Sequence, residues 1–202
     1  MKGFDNLTPE ELDVLREVGN VGVGNASTAL SQLLGKTIEI SVPRVIIAKL
    51  NEIGEYIKPD EVIVGTVVGL NDLENNTPGY LYLVFPSETS NKIAEILVGD
   101  TSDKSMVESV VMEISNILAS HFCDAIATML NTVLIPTPPN YAEDYSIAVI
   151  DALIAKLAER SDSIIIFETE LKDEQSVIDI ILMLIPSESF LNYIVELLEM
   201  VG

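Results

Sequence analysis

Apolar residues at Leu12, Leu15, Val18 and Val21, continued by Ala26, Ala29, Leu30 and Leu33, recur at helical spacing and predict one long helix near the start of the chain. Thr8-Pro9-Glu10-Glu11 marks its beginning: Thr8 is set to cap, Pro9 suits the first helical position, and Glu11 completes a capping box. Gly35 is placed to end it. The period then changes. Thr37 to Leu50 is rich in Ile and Val and alternates at Ile38-Glu-Ile-Ser-Val42, so it reads as strand, with Pro43 suited to an edge or a bulge. Val62 to Leu70 and Tyr80 to Phe85 read as two further strands across the turn-rich Asn71 to Gly79. Ser87 is expected to cap a short helix through Leu97 that stops at Gly99-Asp100.

The second half repeats the order. Ser105 to Leu130 predicts a second long helix, and Ile135-Pro-Thr-Pro-Pro139 an extended, helix-free connector. Tyr145 to Leu157 is ambiguous, its alanine content and length favouring helix although its counterpart reads as strand. Ser163 to Leu171 and Val177 to Ile185 read as strands, and Ser187 is expected to cap a closing helix to about Met200. Phe85-Pro-Ser-Glu88 is echoed by Ile185-Pro-Ser-Glu188 at the same kind of junction. The expectation is one domain over residues 1–202 made of two repeats, approximately 8–100 and 105–202, too long in period for a solenoid. The fold class expected is α+β: two three-stranded halves share one antiparallel sheet across a pseudo-twofold axis, flanked by the two long helices.

Those helices carry the candidate chemistry. Asp13-Val-Leu-Arg-Glu17-Val-Gly-Asn20 is separated from Pro43 by twenty-two residues, and Ser109-Val-Val-Met-Glu113-Ile-Ser-Asn116 by the same interval from Pro139. On a helix turning ~100° per residue, positions i, i+4 and i+7 fall within ~60° of one another, so each Glu/Asn pair shares a face with Asp13 or Ser109. A carboxylate and a carboxamide are thus aimed the same way, twice. A single such pair is commonplace on a solvated helix; two copies with identical internal spacing are not.

Composition narrows the partner. A formal net charge of −21, with only 11 Lys+Arg, disfavours nucleic-acid phosphates and anionic membranes and leaves a protein partner. The chain has no signal-peptide pattern and no long apolar stretch, so a cytoplasmic protein without membrane insertion is expected. Cys123 is the only cysteine, which excludes an internal disulfide. His121 and Cys123, two apart on a helix, face different ways, so His121 is read as paired with Asp124 or solvent and Cys123 as packed. Gly19-x-x-Gly22-x-Gly24 lies inside a helical pattern and follows no strand, unlike a phosphate-cradling loop. Gly99-Asp-Thr-Ser-Asp103 lacks the ligand spacing of a calcium loop.

The Asp/Ser, Glu, Asn, Pro pattern resembles the signature of the CheC family of chemotaxis phosphatases, which is related to CheX, FliY and FliM, and both copies fit it. The resemblance extends over essentially the whole chain. It implies hydrolysis of the aspartyl phosphate on a CheY-like response regulator, with Glu17 and Asn20 as one site and Glu113 and Asn116 as the other. In that reading each Asn orients the attacking water and each Glu binds the regulator's active-site lysine. Asp13 and Ser109 tune or orient the site, while Pro43 and Pro139 fix the chain's exit after each helix. The resemblance implies no cofactor of the chain's own, Mg²⁺ residing in the partner regulator, and the deamidase CheD as a further partner. The glycines around Asn20 are expected to admit a partner; Ser115, Leu118, Ala119 and Ser120 replace that arrangement on the second helix, leaving open whether both faces accept it equally. The alternative is a non-catalytic flagellar-switch or adaptor module that binds a response regulator.

Overall fold

The computed structural model describes residues 7–52, 61–72, 79–99, 101–146, 148, 149, 151, 155, 163–175, 178–188 and 190–192. Helix α1 (Pro9–Leu34) starts on the expected capping box: Glu11 N–H donates to Thr8 Oγ1 at 3.2 Å, and Thr8 N–H to Glu11 Oε2 at 2.7 Å. It ends on Gly35 at φ 62°, the left-handed conformation that glycine adopts without steric cost. Two short strands follow, β1 (Ile38–Ile40) and β2 (Arg44–Lys49), interrupted around Pro43. Then come β3 (Val62–Asn71), β4 (Gly79–Pro86), α2 (Ser87–Val98) and α3 (Lys104–Met129). The chain continues through β5 (Ile135–Pro136), β6 (Asn140–Tyr145), β7 (Ser163–Asp173) and β8 (Asp179–Pro186).

One local expectation changes, and two features are added. Ser87 is the first residue of α2 and does not cap it; its hydroxyl donates to the Val62 carbonyl, tying the helix to β3. Asp103 caps α3, its Oδ1 accepting from Ser105 N–H at 2.9 Å, which gives the acidic loop before α3 a structural purpose. Asn140–Tyr145 is a strand. All of its side chains but the half-buried Tyr141 are exposed, so neither face carries the apolar residues that would show a period of two. The ambiguous stretch is helical at residues 146, 148, 149, 151 and 155, the reading its composition favours. Ser187 caps as expected, accepting from Phe190 N–H at 3.2 Å, and the predicted continuation to Met200 lies outside the described residues.

All strands pair antiparallel in one sheet of order β1-β7-β8-β4-β3-β5, with β2 also along β7 and β6 also along β3. Exchanging β1 to β4 with β5 to β8 leaves every pairing unchanged. The axis of this exchange passes between β4 and β8, where Tyr82 faces Met183 and Leu83 faces Leu182. Hairpins β3–β4 and β7–β8 pair within their halves. The first strand of each half instead crosses to the other half, β1 and β2 onto β7 and β5 and β6 onto β3, so the halves are interlocked.

The sheet separates two apolar layers, as period-two alternation requires. Leu81, Leu83, Phe85, Leu182 and Leu184 meet the helices, while Tyr82, Val84, Met183 and Ile185 join Ile46, Ile164 and Val149 on the opposite face. α1 and α3 pack against one another over the first layer. Gly22 is what lets them meet: a Cβ there would come 2.9 Å from Phe122 Cζ and closer still to the ring edge. Gly22→Ala is therefore expected to destabilise the fold by roughly 1–2 kcal/mol, since overpacking outweighs the helix-propensity gain. Gly24 has nothing within 4 Å of such a Cβ, so Gly24→Ala is expected to stabilise by about 0.5–1 kcal/mol. Urea midpoints of the two variants moving in opposite directions check both.

Candidate functional site

Each motif helix turns its apolar side to the sheet and presents its Glu and Asn outward. On α1, Leu15 and Val18 are 2% and 1% exposed; on α3 the corresponding Val111 and Ile114 are 0% and 1%. That anchoring fixes the helix rotation. Glu17 and Glu113 are exposed, and Asn20 and Asn116 are both half-buried. None of these four side chains makes a hydrogen bond or ion pair among the described residues. The flanking positions are engaged: Asp13 Oδ1 accepts from Arg16 Nη1 at 2.7 Å, and Ser109 Oγ donates to the Ser105 carbonyl at 2.8 Å. Two matched carboxylate and carboxamide pairs thus stand free for an external ligand while their neighbours are held.

Behind each Asn the supporting contact differs. Gly19 lies over Phe167 of β7, with 4.0 Å from its would-be Cβ to the phenylalanine Cβ. At the equivalent place Ser115 is buried; its hydroxyl donates to the Val111 carbonyl at 2.8 Å and accepts from Thr66 Oγ1 of β3 at 2.7 Å. Small residue with large, and medium with medium, fill the same space, and each buried hydroxyl in the second arrangement finds a partner. The two Asn positions are thereby held alike by different side chains.

Pro43 is buried immediately before β2 and Pro139 half-buried immediately before β6. Both start strands that run along the sheet edges, where a missing N–H costs nothing, and neither lies on a motif helix. The glycines divide by role: Gly22 serves the α1–α3 contact, whereas Gly24, one turn after Asn20, leaves bare helix on the open face. A residue the sequence reading passed over is Arg16, on the Asn20 face at i−4; the signal was that it is the only cation in α1.

Other reactive groups fall outside the site. Cys123 is fully buried, and burial followed by the Asp124 carboxylate pushes its thiol up to about 12. It is expected to resist alkylation until the protein unfolds, a rate readable by mass spectrometry across a urea series. His121 is exposed. Among the described residues no group of three His, Cys, Asp or Glu side chains is placed to hold a metal ion. α3 is the one described helix long and apolar enough to cross a membrane, and 56% of that apolar window is buried within the fold as the second core helix.

Known proteins share both the motif segments and the architecture. Residues 10–47 and 106–141, each running from a motif helix through its proline, match the CheC-like family. Both motif segments are CheC-like. Among curated proteins the chain is similar to the CheY-P phosphatase CheC of Bacillus subtilis (strain 168), 26% identical over 181 residues that cover 86% of each chain. Among solved structures the fold is shared with Thermotoga maritima FliY at TM-score 0.70 and 22% identity, covering 95% of this chain and 97% of that one. FliM in its complex with SpeE from H. pylori superposes at TM-score 0.69 with 13% identity, covering 95% and 97%. CheX in its CheY, BeF3 and Mg²⁺ complex from Borrelia burgdorferi superposes at TM-score 0.57 with 19% identity, covering 85% and 97%.

Proposed function

We propose that this chain is a cytoplasmic phosphatase, one domain of two repeats, that hydrolyses the aspartyl phosphate of a CheY-like response regulator. The observation that carries the reading is the pair of free Glu/Asn faces at equivalent positions on α1 and α3. The name of the Bacillus subtilis relative and the CheX–CheY complex support the same partner class.

The chemistry asks little of the enzyme. An aspartyl phosphate is an activated acyl phosphate, and the regulator brings its own Mg²⁺, which offsets charge on the phosphoryl oxygens. What remains is to place one water in line with the breaking bond. A carboxamide does this without changing protonation: its oxygen accepts from the water and its NH₂ donates to an oxygen nearby. Asn20 or Asn116 enters the regulator's pocket in this role. Water adds to phosphorus, the bond to the aspartyl oxygen breaks, and phosphate and a free carboxylate leave. Glu17 or Glu113, one turn back, pairs with the regulator's active-site lysine and sets the register of the helix. Asp13 and Ser109 hold the preceding turn in place.

A second reading is favoured by the FliM likeness: a binding module for a regulator or motor component that lacks catalysis. The two differ in one assay. Decay of phosphorylated regulator with Mg²⁺ is followed with and without catalytic amounts of the chain. Acceleration with multiple turnovers supports the phosphatase; binding without acceleration supports the module, and adding a CheD-type deamidase to the same assay tests whether that partner raises the rate.

A further inference from the structure

Both motif helices are net acidic, but they differ in where their one cation lies: Arg16 is on the motif face of α1, whereas Lys104 is at the first residue of α3. In α1, Arg16 lies with Asp13, Glu17 and Asn20 within an arc of ~100°, and no other cation occurs between Pro9 and Leu34. Its pairing with Asp13 is between exposed groups, with side-chain exposures of 45% and 72%, a kind of pair worth only ~0.2–1 kcal/mol. It is therefore easily exchanged for another anion. No other hydrogen bond engages the guanidinium among the described residues, so its remaining N–H donors are available in the planar arrangement that suits phosphate and carboxylate.

On α3 the equivalent position is Met112, with Glu108 one turn before it. Across from that turn, on β6, Tyr141 and Glu143 approach, the Tyr141 hydroxyl donating to Glu143 Oε2 at 3.5 Å. Burial foremost, and then the carboxylates of Glu143 and Glu108, raise the Tyr141 phenol to about 12. Lys104 offsets part of this charge from 3.7 Å off Glu143. The corresponding places beside α1 hold Leu12, Val45 and Ile47, which carry no charge.

Resting on the phosphatase reading, we infer that Arg16 is a specificity-determining contact that draws the phosphorylated receiver surface of the regulator to the α1 face, while Glu108 and Glu143 weaken its approach to the α3 face. The α1 face is engaged through attraction, which salt screens. At the α3 face salt screens repulsion instead.

Full-length variants that keep one face each provide the test: Glu113→Ala/Asn116→Ala leaves the α1 face, and Glu17→Ala/Asn20→Ala leaves the α3 face. Each is titrated against a CheY-like regulator activated with beryllium fluoride and Mg²⁺ at about 50 and about 300 mM NaCl, where the Debye length falls from beyond ~10 Å to below it. Turnover of phosphorylated regulator is measured alongside. The α1-face protein is expected to lose affinity with salt, and the α3-face protein to hold or gain it. Adding Arg16→Met to the α1-face protein should raise Kd and KM about fivefold, leave kcat in place and flatten the salt dependence. Arg16→Lys should keep the salt slope, and Glu108→Gln should tighten binding at the α3 face. Unchanged Kd, KM and salt slope in Arg16→Met, with the parent active, overturn the role of Arg16 alone. A parent chain that neither binds the activated regulator nor accelerates dephosphorylation overturns the phosphatase reading, and the role of Arg16 with it.

Discussion

With Asn20 and Asn116 both replaced by alanine, the chain is expected to leave the lifetime of a phosphorylated regulator at its value without enzyme. The reason is local. Each Asn is the only neutral group at its motif position that can both accept from and donate to a water, and a positioned group of this kind contributes on the order of 10²-fold or more. Alanine keeps the helix and removes both functions. Because each Asn is half-buried and makes no hydrogen bond within the described fold, the unfolding midpoint should move by less than about 0.5 kcal/mol equivalent. Each single variant should lose the share of turnover that its own face supplies. Glu17→Ala and Glu113→Ala should act mainly on KM, since the proposed ion pair sets engagement while the water-orienting group stays in place. Phosphate release under multiple turnover, with a matched urea curve, separates these outcomes. Full activity in the double Asn variant would remove the asparagines from the mechanism.

The two candidate faces were legible because their information is local and repeated. Spacing alone put Asp13, Glu17 and Asn20 on one helix face and predicted the same for Ser109, Glu113 and Asn116, and the capping box at Thr8 and the stop at Gly35 fixed where the first helix begins and ends. The antiparallel sheet followed from sequential strands joined by short connections, β3 to β4 and β7 to β8, and the long helices from their own apolar spacing.

What the sequence concealed is non-local. Nothing in Arg44 to Lys49 says that its partner is Ser163 to Glu168 of the other half, because an edge strand's pairing depends on where the chain arrives, not on its composition. Asn140–Tyr145 was hidden for the same reason, exposed and polar as it is. Gly22 and Gly24 look alike in sequence. Only the ring of Phe122, a hundred positions away, makes one a packing requirement and leaves the other facing open space.

That interlock of halves has a weak point, and Asp173→Ala is expected to expose it with a loss of about 3–5 kcal/mol. The Asp173 carboxylate is 3% exposed and ends β7. One oxygen accepts from Lys36 Nζ at 2.8 Å, and the other accepts from Ile178 N–H at 2.9 Å. Lys36 directly follows the Gly35 cap of α1, and Ile38, two residues on, pairs with Asp173 itself across β1 and β7. One side chain therefore joins the end of the first motif helix, the crossing strand and the β7–β8 hairpin. Alanine leaves the Ile178 N–H without its carboxylate acceptor and Lys36 without its counter-charge. For a chain of this size the melting temperature should fall by roughly 10 °C. Asp173→Asn keeps an acceptor for Ile178 while removing the charge, so it should cost less than alanine. Lys36→Ala strands a buried carboxylate and should approach the alanine value. In a double-mutant cycle the Lys36/Asp173 coupling should exceed about 1 kcal/mol, well above that of an exposed pair such as Lys92 and Glu95. A coupling no larger than the exposed pair's would mean that the strand crossing is held by the apolar layers alone.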